Sequence, residues 1–158
     1  MSKSKTAVIQ LFEELNGIWE LQRHLGEQGH MKGVASFQPC GECVLHYREK
    51  GKATFKNSQA FSSYREYAYV CNQGTIAVHF WDQKYKQPGR LLHTLQFHSF
   101  KADSQALIAT GTHGCADDLY HAHYLFMNPQ QFRLTYQVQG PRKDYTLTSH
   151  FRKIADKC

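Results

Sequence analysis

The sequence predicts a mainly β protein that closes into an antiparallel barrel of about eight to ten strands, preceded by one short helix. Aromatic side chains make up 13% of the 158 residues, and they favour the half-buried faces of sheets. Only residues 4–15 show a helical period, and the remainder divides into short segments of alternating polarity separated by turn residues. Closure would pair the edges that so many strands otherwise expose. We expect residues 1–158 to form a single domain.

Residues 4–15 are predicted to form an amphipathic helix, because apolar side chains recur there at intervals of three and four. Ser4 or Thr6 would cap its first turn. Asn16 and Gly17 would end it. The apolar stripe consists of Val8, Leu11, Phe12 and Leu15.

The strands predicted after the helix are runs of alternating polarity bounded by glycine, proline, asparagine or serine. Pro39 to Gly41 and Pro88-Gly89 are among the predicted separators. The predicted segments are 17–25, 32–39, 43–50, 61–71, 75–82, 91–100, 105–113, 118–127, 131–139 and 144–153.

Alternation along each strand assigns one face to the interior, and that face carries charged residues as well as apolar ones. Arg23 shares a face with Trp19, and Glu49 shares one with Tyr47. Buried charges need partners or a solvated cavity, so we predict a polar, basic, tyrosine-rich cavity that binds a small ligand. The alternative is a register error of one residue, which would turn these side chains outward. The predicted inner faces comprise Trp19, Leu21, Arg23 and Leu25; Leu45, Tyr47 and Glu49; Phe61, Arg65 and Tyr67; Ile76, Val78 and Phe80; Leu91, His93, Leu95 and Phe97; Asp118, Tyr120, Tyr124 and Phe126; Phe132, Leu134, Tyr136 and Val138; and Tyr145, Leu147 and Phe151.

The chain carries 19 Lys and Arg against 13 Asp and Glu, which gives a net charge of +6 and a pI near 9.1. This balance suits an anionic partner, although it is also explained by solubility alone. Nucleic acid is the less favoured partner, because no Lys/Arg-rich run is present. Exposed aromatics on a basic sheet can nevertheless stack bases, and Tyr64, Trp81 and Tyr85 are the candidates.

Five cysteines and a polar, then amphipathic N-terminus without a signal peptide predict reduced thiols and a cytoplasmic protein. No run approaches the roughly 20 apolar residues of a membrane-spanning helix, so no membrane partner is expected. The sequence identifies no cofactor and does not indicate an oligomeric state.

A short helix precedes Asn16-Gly17-Ile18-Trp19 at the start of the first predicted strand, and Arg152 lies near the end of the last. This combination resembles the signature of the calycin superfamily, which includes lipocalins, fatty-acid-binding proteins and phycobilin lyases. The resemblance implies a calycin-like barrel in which Trp19 packs across the base beneath Arg152.

Six short motifs are spaced along nearly the whole chain: Gly17, Trp19, Leu21 and Arg23; Gly33, Ala35 and Phe37; Tyr47, Glu49 and Gly51; Tyr67; His113, Cys115, Asp118 and Tyr120; and Gly140, Pro141, Lys143, Asp144 and Tyr145. Their order is similar to that of an uncharacterised domain family. That family has no established reaction, so the resemblance implies a fold and a site rather than an activity.

The densest polar cluster runs from His113 to His123 and is predicted at a rim of the barrel. There His113, Cys115 and Asp118 would offer a base, a thiol and a carboxylate to a ligand, or would close the rim with hydrogen bonds. Zinc is not predicted, because the spacing matches no established zinc motif and alternation separates Asp118 from His123. A nucleophilic Cys115 paired with His113 is a further alternative.

Arg23, Tyr47, Glu49 and Tyr67 lie on early strands whose inner ends could converge. Arginine would hold an anion, glutamate would exchange a proton, and tyrosine would stabilise developing negative charge. The alternative is an internal salt bridge between Arg23 and Glu49 that fixes the shape of the barrel. Lys143, in a turn at the rim, would suit a phosphate or carboxylate.

We therefore expect a binding module for a small anionic or amphipathic ligand. The alternative is a cofactor-independent isomerase, lyase or hydrolase that uses Glu49, His93, Tyr47 or Asp118 as acid-base residues. The predicted ligand-binding residues are Arg23, Tyr47, Glu49, Tyr67, His93, His113, Cys115, Asp118, Tyr120, Lys143 and Tyr145.

Overall fold

The computed structural model describes residues 3–57, 59–98 and 106–156, and within them one helix precedes ten strands. Each strand pairs antiparallel with its neighbours, and β1 closes onto β10 to complete a barrel. The predicted fold class is thus confirmed. The elements are α1 (Lys3–Leu15), β1 (Gly17–His24), β2 (Gly29–Gly41), β3 (Val44–Phe55), β4 (Ala60–Asn72), β5 (Thr75–Asp82), β6 (Gln87–His98), β7 (Leu107–Cys115), β8 (Asp118–Asn128), β9 (Gln131–Gly140) and β10 (Lys143–Ala155).

Each predicted strand overlaps an observed one, and the differences lie at the ends. Pro88 and Gly89 were expected to separate two strands, but β6 begins before them at Gln87. Pro88 pairs with Trp81 where the β5–β6 register is irregular, a position in a sheet that tolerates proline. Residues 99, 100 and 105, at the ends of two predicted strands, lie outside the described residues.

Helix α1 covers one end of the barrel with its apolar stripe, which is buried as predicted. Helix α1 begins at Lys3, so Ser4 and Thr6 lie inside the helix rather than at the position before its first turn where a cap was predicted. The indole nitrogen of Trp19 donates a 2.9 Å hydrogen bond to the carbonyl oxygen of Leu15, which ties the helix to β1. Among the described residues, no helix combines the length and apolar character needed to cross a membrane.

An aromatic core fills the barrel beneath α1. Trp19 meets Phe132 edge-on at a centroid distance of 4.9 Å, and Phe132 stacks on Phe151 at 4.2 Å. Phe37 and Phe126 complete this group. Such pairs contribute about 0.5–1.5 kcal/mol each beyond their buried area, so this end of the barrel is the packed end.

The cation at the barrel base is Lys153, not Arg152 as expected. The Lys153 ammonium lies 5.1 Å from the ring centroid of Trp19 and donates to the carbonyl oxygen of Glu14. Arg152 pairs instead with Glu20 at 2.7 Å on the outer surface. The reason is register: Trp19 lies opposite Lys153, so Arg152, one residue earlier, points to the other face.

Three predicted inner-face residues are exposed, and one of them, Tyr145, is 41% exposed at the mouth of the cavity. Leu91 is 48% exposed, because a bulge between Val78 and His79 shifts the register and brings Leu92 toward the interior instead. Phe61 is 53% exposed, since it lies near the start of β4 beyond the packed interior, where it contacts Phe55.

Candidate functional site

A cavity of about 330 Å³ opens at the end of the barrel opposite α1. The inner faces of strands β4 to β10 form its walls. The volume lies at the lower end of the usual range for ligand pockets. The lining residues are Arg65, Tyr67, Phe80, Leu92, His113, Cys115, Tyr120, Tyr136, Val138, Tyr145 and Leu147.

Arg65 is the only Lys or Arg among the residues that line this cavity. Its guanidinium forms no ion pair with any carboxylate of the described residues. Burial raises the pKa of the Tyr136 hydroxyl well above its ordinary value, and the charge of Arg65 partly offsets this rise. The same charge contributes to the lowered pKa of the Glu49 carboxyl, and Arg65 lines the barrel interior together with both groups. Arg65 is half-buried, so the cavity holds a partly desolvated cation without a carboxylate partner.

A charged layer, formed by Arg23, Tyr47 and Glu49, lies between the aromatic core and the cavity. Arg23 donates two hydrogen bonds of 2.9 Å to the two carboxylate oxygens of Glu49. Tyr47 donates a third to the same carboxylate at 2.7 Å. The remaining arginine nitrogen donates to the hydroxyl of Ser149 at 2.7 Å. All members of the layer are therefore satisfied by one another.

The charged layer is ionised and saturated. Burial alone would raise the pKa of Glu49, but hydrogen bonds and charge attraction from Arg23 outweigh it and lower the pKa. Burial opposes the charge of Arg23 as well, and Glu49 more than compensates, so the pKa of Arg23 is raised. Arg23 is thus committed to Glu49, which is the internal salt bridge considered as the alternative to an anion-binding role.

A second, much smaller space of about 20 Å³ lies directly above the charged layer. It is large enough for about one water molecule. Arg65, Tyr67, Tyr136 and Leu147 line both this space and the open cavity. The ligand cavity and the charged layer are therefore adjacent levels of one interior.

His93 lies behind the cavity wall rather than on it. Its ring covers Gly111 so closely that a Cβ there would be 2.6 Å from its Cδ2 atom. Neither ring nitrogen bonds to a described residue, and burial lowers the pKa of His93 to about 4. It is a neutral, buried histidine, and its ring centroid lies 6.2 Å from that of Tyr136.

The rim of the cavity combines lining residues with an ion pair. Lys143 approaches the carboxylate of Asp118 at 3.1 Å and donates to the hydroxyl of Tyr120 at 3.2 Å. Gly140 lies against this pair, because a Cβ there would be 2.0 Å from an oxygen of Asp118 and the carboxylate would have to shift. The ion pair links the β7–β8 turn to the β9–β10 turn and holds Tyr120 at the mouth.

The structure brings together five of the predicted ligand-binding residues on the cavity wall: Tyr67, His113, Cys115, Tyr120 and Tyr145. The four predicted acid-base residues do not converge on one place, although Tyr47 and Glu49 bond to each other. Tyr47 and Glu49 belong to the charged layer, His93 lies behind the wall, and Asp118 is paired at the rim. Within the described part of the chain, no three metal-ligating side chains are grouped to hold a metal ion.

Sequence reasoning missed Arg65 as a binding residue, although alternation had already assigned it to the inner face. Alternation also assigned Phe80, Tyr136 and Leu147 to the inner face, and they line the cavity as well. Leu92 had no such signal, because its inward position depends on the bulge in β6.

Two solved structures are similar to this fold. Rv2717c from M. tuberculosis aligns with a TM-score of 0.62 at 11% identity, covering 93% of this chain and 97% of its own. The S-type phycobiliprotein lyase CPES from Guillardia theta aligns with a TM-score of 0.58 at 8% identity, covering 100% of this chain and 99% of its own. At such identities the likeness bears on the fold alone.

Residues 15–153 match the model of a family of unknown function. The match runs from the end of α1 through most of β10, and so includes the whole cavity wall. Among curated proteins, none matches the sequence significantly.

Proposed function

This chain belongs to the family of unknown function DUF6314, and from that premise and the geometry of its cavity we propose that it is a calycin-like barrel that binds a small, partly apolar anion at its open end. The single observation that carries the proposal is Arg65, a half-buried cation on a wall that is otherwise mostly aromatic and aliphatic and also includes His113 and Cys115.

Arg65 favours a carboxylate or phosphate as the polar part of the ligand. A guanidinium presents a rigid fork of donors that matches such groups, and its bonds to them are stronger where water is excluded. Arg23 does not compete for the anion, because Glu49 already occupies it. The ligand's charged group therefore lies deep in the cavity, above the charged layer.

The remaining wall favours a planar apolar body. Tyr67, Phe80, Tyr120 and Tyr136 supply ring surfaces, and the tyrosine hydroxyls provide polar contacts that can orient a ligand. The cavity of about 330 Å³ suits a compact molecule with one or two rings rather than a long-chain lipid. Small aromatic carboxylates are the simplest members of this class.

Replacing Arg65 with methionine is expected to weaken the binding of small aromatic carboxylates by about tenfold to a hundredfold, since a charged hydrogen bond contributes about 1.5–3 kcal/mol. Methionine keeps the length and apolar stem of the side chain and removes only its charge. The measurement is isothermal titration calorimetry with a panel that includes benzoate, cinnamate and indole-3-acetate.

Arg133→Met is the matched control, because Arg133 lies on the outward face of β9 beside His150 and outside the cavity lining. It should bind the panel as the unchanged protein does. If the protein binds none of these anions, or if the two variants lose affinity equally, the assignment of Arg65 as the anion anchor is wrong.

A further inference from the structure

The outer surface of β2, β3 and β4 carries a row of cations that the interior site does not use. Arg48, Lys50 and Lys52 are the charged residues among the exposed, outward positions of β3, and Lys32 lies directly opposite Lys52 on β2. Tyr64 lies opposite Lys50 on β4. We call these five residues the basic face. Like charges directly opposite one another across strands destabilise a sheet, so this arrangement has a cost in the isolated protein.

The carboxylates of β2, β3 and β4 do not neutralise the lysines of the basic face. Strands β2, β3 and β4 contain two carboxylates, and Glu49 points inward to Arg23. The other, Glu66, lies opposite Arg48 but accepts hydrogen bonds from His46 and Gln83. The lysines of the face are therefore exposed without a carboxylate partner among the described residues.

Tyr64 provides an ordered aromatic surface among these charges. Its ring is 49% exposed, while its hydroxyl interacts with Glu66 and Arg48. The hydroxyl contacts hold the ring in place, so little conformational freedom is lost when another ring stacks on it. By contrast, Trp81 is already stacked on His46 at a centroid distance of 3.7 Å, which leaves it less free to accept a base.

Outward side chains on one strand recur about every 6.6–6.8 Å, since each residue rises about 3.3–3.4 Å. That interval is comparable to the spacing of phosphates in an extended single strand of nucleic acid. We propose that the basic face binds single-stranded nucleic acid, with Lys32, Arg48, Lys50 and Lys52 contacting phosphates and Tyr64 stacking on a base. Lysines that track the backbone beside an aromatic platform are the usual elements of such sites.

The test is fluorescence anisotropy with a labelled oligothymidine of about 12 nucleotides. Lys50→Glu should weaken binding by about tenfold or more at low salt and reduce the slope of log affinity against log salt. Tyr64→Leu should weaken binding by about tenfold as well, whereas Tyr64→Phe, which keeps the ring but not the hydroxyl contacts, should bind more tightly than Tyr64→Leu. Lys50 and Tyr64 are both exposed, and circular dichroism would verify that each variant is folded.

Arg142→Glu is the charge-matched control. It makes the same change in net charge at an exposed turn between β9 and β10, at the open end of the barrel and outside the basic face. It should retain oligothymidine binding over about 50 to 200 mM salt.

Three results would overturn the proposal. The first is an absence of binding at low salt. The second is an equal loss of affinity in Lys50→Glu and Arg142→Glu, which would reflect net charge alone. The third is tighter binding to polyphosphate or to phosphatidylserine vesicles than to oligothymidine, with Tyr64→Leu unchanged, which would assign the face to a polyanion without bases or to a membrane surface.

Discussion

Replacing Glu49 with glutamine is expected to lower the free energy of unfolding by about 3–5 kcal/mol, because it leaves the buried charge of Arg23 without a compensating carboxylate. Arg23 and Glu49 are only 5% and 2% exposed, and their two parallel hydrogen bonds are each 2.9 Å long. A loss of this size is a large fraction of the 5–15 kcal/mol that stabilises a typical domain. Urea denaturation at neutral pH measures it.

Two further variants help to distinguish the loss of one partner of the buried ion pair from the removal of both partners. Glu20→Gln breaks the exposed pair with Arg152 and should cost no more than about 1 kcal/mol. The double variant Arg23→Met/Glu49→Leu removes both charges and should recover most of the stability lost by Glu49→Gln, since apolar replacement of a buried pair is often neutral. A double variant as unstable as Glu49→Gln would show that the pair stabilises the barrel beyond its own charge balance.

The stability of the protein is expected to fall by about 3 kcal/mol as the pH drops from 6.5 to 4, because of His93. Burial lowers the pKa of His93 from the ordinary 6.5 to about 4 in the folded protein. Below pH 6.5 His93 therefore binds a proton in the unfolded chain but stays neutral in the folded protein. The free energy of unfolding is accordingly at its full value above that pH and decreases below it. The loss ends near the folded-state value.

His93→Leu should remove most of this dependence and leave stability at pH 7.5 equal or higher, since neither ring nitrogen has a partner among the described residues. His123→Gln, at an exposed position of β8, should leave the dependence unchanged. Glu49 affects stability in a lower pH range than His93. Because the pKa of Glu49 is lowered in the folded protein, the stability that its carboxylate provides is lost only in more acidic solutions. Urea denaturation of each variant at several pH values makes the comparison, and an unchanged slope in His93→Leu would contradict the assignment.

Alternation of polarity was sufficient to predict the strands and most of their inner faces. It placed Arg23 and Glu49 inside, because two charged residues alternate in phase with buried Leu and Tyr neighbours. It could not show that they bind each other, because the partner of a side chain on another strand depends on the pairing register of the strands. Alternation within one strand does not determine that register. The same limit explains why Arg23 rather than Arg65 was expected to hold an anion.

Two further errors are shifts of one residue. The bulge in β6 turns Leu92 rather than Leu91 toward the interior, and the register of β10 places Lys153 rather than Arg152 opposite Trp19. In both cases neighbouring residues were chemically alike, so composition gave no warning. A strand's period of two makes such a shift change the face completely.

The charged layer also bears on how this barrel can diversify. On the cavity side of this layer, Phe80 and Tyr145 are not among the residues that pack against the hydrophobic core, whereas Tyr67, Leu92 and Tyr136 of the same wall are. Substitutions at distant sites without shared partners usually have additive effects. Homologous proteins could therefore evolve new ligand preferences by exchanging wall residues such as Phe80 or Tyr145, while the closed end preserves the architecture.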